Sequence, residues 1–186
     1  GYMVSDGVGS QVFHGLPNTY ETYPHPWLDT ARFSTSAVEL CPGGTLSLAN
    51  TSTFVPDYTE FVIRHQNGAL IDSASGNVMQ AVLQQPGIYH ISMRMERSCL
   101  RDTVCKTVLV RQYPNPGLGL DTILCGATSF DLIPLATGLS LNWWNGQTSP
   151  MVTITQSGTY WVEGSDGVCL SRDSIQVDFR PIPDLD

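Results

Sequence analysis

Five cysteines, at positions 41, 99, 105, 125 and 169, are the residues of this chain best suited to chemistry, as disulfide partners, metal ligands or nucleophiles. No two of them make a C-x-x-C pair. His14, His25, His65 and His90 stand at no ligand spacing from another ligand, so zinc has no framework here. A nucleophile needs a base and a group that orients it, and the chain has neither a G-x-S-x-G elbow nor an H-E-x-x-H helix. The four histidines read as surface or strand residues, and no pair of carboxylates is marked out for glycoside hydrolysis. No catalytic residue, metal or cofactor is expected. The chemistry left to the cysteines is the disulfide, which requires an oxidising compartment.

Other polar and aromatic residues have a functional reading beside a plain one. Asp121, Asp184 and Asp186 place oxygens where modules would join, a setting that suits calcium, but they lack an EF-hand spacing and read as solvated acids. Asp102 and Asp173 each follow a cysteine and read as turn-fixing carboxylates. Trp144 and Trp161 fall at outward strand positions, where neighbouring indoles would offer a face to a sugar ring or an apolar partner, or be covered by an adjacent module.

Short β-strands must position these residues. In the second half, strands are predicted at Thr128 to Ile133, Leu139 to Trp143, Met151 to Gln156, Gly158 to Gly164 and Ile175 to Phe179, with Asn145-Gly146 as a hairpin signal. The first half repeats this order. Leu40-Cys41-Pro42-Gly43-Gly44-Thr45-Leu46-Ser47-Leu48 aligns without a gap on Leu124-Cys125-Gly126-Ala127-Thr128-Ser129-Phe130-Asp131-Leu132, Asn67-Gly68 matches Asn145-Gly146, and Pro86-Gly87-Ile88-Tyr89 matches Ser157-Gly158-Thr159-Tyr160. Period two turns Tyr89, Ile91, Met93 and Met95 inward, with Tyr160, Val162 and Trp143, and leaves Trp144, Trp161 and Glu163 outside.

A proline tag brackets the repeats: Pro24-His25-Pro26-Trp27-Leu28-Asp29, Pro114-Asn115-Pro116-Gly117-Leu118 and Pro181-Ile182-Pro183-Asp184-Leu185-Asp186. The organisation expected is an all-β chain of two tandem β-sandwiches. Residues 30–112 form one and 113–180 the other. Residues 1–29 are a linker, the tail of an upstream module or a docking arm, and 181–186 begin a linker to a further module. The tag's spacing predicts another cysteine about eleven residues past Pro181, beyond Asp186. Aligned cysteines suggest one disulfide per module, Cys41–Cys99 and Cys125–Cys169, each worth about 4 kcal/mol for a loop of this size. Cys105 is odd: free, an alternative partner of Cys41, or a bond to another chain.

The stretches LCGATSFDL and WWNGQTSPMVTITQSGTYWVEGSDGVCLSRDSIQV, with the trailing P-x-P, resemble Ig-like repeats of large surface proteins of Bacteroidota. ELCPGGTLSLANTST and PGIYHISMRMERSCLRDTVCKTVLV are similar to the PKD-like modules beside them, with Phe61 to Gly68 departing from the W-x-F-G-D-G element. The resemblance implies export by the type IX system and work as an adhesin, gliding-associated filament or spacer arm, outside the cell. Implied partners are neighbouring modules or like subunits, and a surface glycan or protein. A net charge of −8 with nine Lys plus Arg disfavours nucleic acid and anionic membrane, and no apolar run is long enough to span a bilayer. Two functions follow as expectations: a non-catalytic structural or adhesive segment, and an accessory carbohydrate-binding or spacer segment of a larger secreted enzyme.

Overall fold

The computed structural model describes residues 2–5, 11–14, 30–53, 55–97 and 100–182. Every regular element among them is a strand: β1 (Tyr2–Ser5), β2 (Gln11–His14), β3 (Phe33–Thr35), β4 (Glu39–Leu40), β5 (Gly44–Asn50), β6 (Tyr58–His65), β7 (Leu70–Ser75), β8 (Val78–Leu83), β9 (Gly87–Arg97) and β10 (Leu100–Val110). The chain continues with β11 (Thr122–Cys125), β12 (Phe130–Leu132), β13 (Ser140–Trp143), β14 (Val152–Ile154), β15 (Gly158–Ser165) and β16 (Leu170–Arg180). Within the stretch read from sequence as an N-terminal segment, β1 and β2 form an antiparallel pair. Pro24 to Asp29 and the last tag from Pro183 lie outside the described residues.

Strands β3 to β10 make two sheets, ordered β4-β10-β9-β6-β7 and β3-β5-β8. Strict alternation builds the core between them: Phe61 and Ile63 on β6, Met79 and Ala81 on β8, and Tyr89, Ile91, Met93 and Met95 on β9 are buried. Phe33 of the smaller sheet meets Phe61 of the larger edge to face, with ring centroids 5.7 Å apart. The sequence places the inward face of β9 correctly because a long, half-buried antiparallel strand leaves period two undisturbed.

Strands β11 to β16 repeat the plan, with sheets β11-β16-β15-β13 and β12-β14. Leu132, Trp143, Val152, Ile154, Val162, Ile175 and Val177 form their core. Trp143 is fully buried, and its indole N–H donates to the Ser149 carbonyl at 2.7 Å, so the polar end of the ring is not stranded in the core. In both halves the first strand of the larger sheet pairs in parallel with the last, Leu40 beside Val110 and Leu124 beside Phe179. The result is two tandem β-sandwiches.

One local expectation is corrected. Asn145-Gly146 does turn the chain, with Gly146 at φ +80° and the Trp143 amide bonded to the Gln147 carbonyl, but it does not close a hairpin. Its flanking strands part: β13 pairs with β15, whereas β14 crosses to pair with β12. At Asn67-Gly68 the same dipeptide does join paired strands, β6 and β7.

By compactness the chain falls into two units. One holds Ser47–Ala81 and Tyr89–Thr107 with the segment ending at Ser36; the other holds Ala37–Leu46, Val82–Ile88 and the chain from Val108.

Candidate functional site

The second unit contains a disulfide, and it is neither of the two expected from aligned cysteines. Cys41 bonds Cys169, with Cα atoms 5.6 Å apart and 128 residues between them in sequence. Register explains why Cys125–Cys169 does not form. Cys125 stands opposite Arg180, at the far end of the 11-residue strand β16 from Cys169, a separation of about 35 Å at the usual strand rise. A disulfide needs Cα atoms within about 7 Å. In the same way Leu40 sits beside Val110, at the opposite end of β10 from Leu100. Cys99 lies outside the described residues, and the Cys41 it was expected to bond is taken. Cys105 and Cys125 are free, exposed thiols.

Around this bond the side chains form a clamp. Arg111 follows β10, and its Nε donates to Glu39 on β4 at 2.8 Å while Nη1 donates to Asp166 at 3.3 Å. Asp166 opens the loop that carries Cys169: its Oδ1 accepts the backbone amides of Cys169 at 2.7 Å and Val168 at 2.9 Å. Those two amides, and then Arg111, hold its carboxyl below the usual aspartate range. The Glu39 hydrogen bond likewise raises the pKa of Arg111. Nearby, the Tyr113 hydroxyl donates to the Pro42 carbonyl at 3.0 Å, and the Ser171 hydroxyl donates to the Pro114 carbonyl. Sequence reasoning missed Arg111, Tyr113 and Asp166. The visible signal was the Ser165-Asp166-Gly167 turn before a cysteine; an arginine's choice of acid depends on tertiary placement.

The tryptophans do not form the paired outward platform that alternation suggests. Trp144 lies in the turn after β13, where period two no longer applies, and is half-buried against the core. Its ring meets Tyr160 edge-on at 4.6 Å and Trp143 at 5.8 Å. Trp161 is on the outer side of β15, but the Arg172 guanidinium lies 3.8 Å from its ring centroid and also binds Glu163 at 2.8 Å.

The remaining candidate residues are spent on backbone. Asp102 accepts the Ala31 amide and Asp173 the Leu118 amide, both at 2.7 Å, so each fixes the chain near the start of its sandwich. Asp121 accepts the Gln176 amide at 2.8 Å; Asp184 and Asp186 lie outside the described residues. His65 is buried on β6 against the Tyr89 ring, 5.1 Å between centroids, and His90 is exposed on β9. His14 is on β2, and His25 lies outside the described residues. Among the described residues no three His, Cys, Asp or Glu side chains gather as a metal site.

No family model matches the chain, and no curated protein does. Solved structures do. An I-band fragment of titin shares 12% identity over 81% of this chain and 65% of the fragment, with a TM-score of 0.43. Murine CEACAM1b shares 14% identity over 80% of this chain and 99% of its own, with a TM-score of 0.36. The PKD domain of the human VPS10 domain-containing receptor SorCS2 shares 19% identity over 45% of this chain and 73% of its own, with a TM-score of 0.34.

Proposed function

We propose that this chain is a non-catalytic structural and adhesive segment of an extracellular bacterial surface protein, built from tandem β-sandwich modules. The observation that carries the reading is the Cys41–Cys169 disulfide with its Arg111–Asp166 clamp. Closing a loop with a sequence separation of 128 is worth about 5 kcal/mol in the chain-entropy model, and such a bond persists only where thiols are oxidised. A crosslink over that span stops the enclosed chain from being drawn out under load, which suits a load-bearing arm. Export by the type IX route and the bacterial surface setting rest on the sequence resemblance.

Assembly and surface attachment are the direct tests. The purified chain is expected to self-associate or to bind a cell or matrix surface in sedimentation and adhesion assays; a strictly monomeric, non-binding chain overturns the adhesive reading. The carbohydrate-binding alternative is disfavoured by the two tryptophans, one leaning on the core and the other under Arg172. Binding to a polysaccharide array that is lost on Trp161→Ala would restore it.

A further inference from the structure

We infer that Cys125 and Arg180 together form a docking position for a loop of the form acidic-x-x-Cys, taken up by a disulfide and an ion pair. The inference rests on the modular reading above and names the partner chemistry of one edge. The chain already displays one filled copy. Cys41 follows the strand that pairs in parallel with the end of β10; Arg111 is the residue directly after β10, and the loop Asp166-Gly167-Val168-Cys169 fills both, carboxylate to guanidinium and sulfur to sulfur.

Register places a second copy one repeat later. Cys125 ends the strand that pairs in parallel with β16, and Arg180 stands directly opposite it. Three details match beyond the pair itself. In both copies the arginine Nε is held by an acid at 2.8 Å, Glu39 for Arg111 and Asp178 for Arg180; Glu39 also takes Nη2 of Arg111, and Nη1 is the nitrogen that meets the further carboxylate. In both, the residue two positions after the arginine packs on the residue after the cysteine: the Tyr113 hydroxyl bonds the Pro42 carbonyl, and the Ile182 side chain lies against Gly126. Finally, both components of the second copy are accessible, the Cys125 thiol free and exposed and the Arg180 side chain 57% exposed.

Bond formation balances as thiol–disulfide exchange with a small-molecule disulfide such as oxidised glutathione. Two thiols lose their protons and are joined in one S–S bond as the glutathione disulfide is cleaved, and two glutathione thiols leave carrying those protons. The loop belongs to another module of the same kind, because in this chain's own loop Cys169 is already bonded to Cys41.

The test uses the whole chain in a glutathione redox buffer with a peptide of the sequence Ser165–Leu170, and mass spectrometry reads peptide occupancy at each free thiol. Cys125 is expected to carry about tenfold more peptide than Cys105, falling about threefold when the peptide's aspartate is replaced by Asn or the protein carries Arg180→Gln. Equal occupancy of Cys125 and Cys105, or indifference to both changes, overturns the inference, and leaves the adhesion assay to judge the broader reading. Without peptide, a disulfide-linked dimer that vanishes in Cys125→Ser shows pairing between like chains and overturns the assignment to a separate module. A chain that stays monomeric yet takes peptide at Cys125 supports it.

Discussion

At the scale of single residues, the disulfide and its acid are the features that chemistry can address. Reduction of the native protein is expected to lower its stability by about 2–5 kcal/mol, read as a drop in the thermal midpoint, while Cys41→Ser begins at that lower value and does not respond to reductant. The Asp166 carboxyl titrates lower in the folded chain than in the unfolded one, held down by the Cys169 and Val168 amides, and Glu163 is lowered by Arg172. A depressed folded pKa gives stability that is present above the unfolded value and lost as pH falls through the folded one. Stability is therefore expected to decline as pH drops below roughly 4, and Asp166→Asn to flatten that decline in a urea-midpoint series against pH. Thr59 offers the opposite sign. Its hydroxyl is buried and makes no hydrogen bond among the described residues, so Thr59→Val is expected to be neutral or to stabilise by about 1 kcal/mol in denaturant unfolding.

At the scale of elements, two tryptophans on neighbouring strands separate core from surface. Trp143 is sealed in the second sandwich and Trp161 lies outside it under Arg172. Trp143→Ala is expected to cost about 3–5 kcal/mol and Trp161→Ala about 1 kcal/mol or less, both read from denaturant midpoints. The faces of β9 and β15 were legible in sequence because alternate residues of a strand share a face wherever the strand continues. That rule fails at Trp144, one residue past the end of β13, where the turn rotates the ring back onto Tyr160. It also says nothing of pairing. The Asn-Gly dipeptide supplies a backbone that turns, but whether the next strand stays in its sheet depends on contacts made elsewhere: β14 finds β12, and the Trp143 indole ties down Ser149 on the way.

For the molecule as a whole, the repeat is the organising fact, and it was the part most legible in the sequence. Matching Leu-Cys starts, Asn-Gly turns and Gly-x-Tyr strands depend on local backbone and side-chain preferences, which any stretch of chain carries with it. They determined an all-β chain, its repeated order of strands and most of the buried faces. The cysteine pairing was different. Aligned cysteines in two repeats look like one staple each, yet parallel pairing of the first and last strands sends Cys125 to the far end of β16 from Cys169. A partner then has to come from 128 residues away, and it is Cys41. Tertiary structure alone decided that bond and the Arg111 clamp around it, because register and proximity arise when distant strands pair and leave no mark in the spacing of residues along the chain.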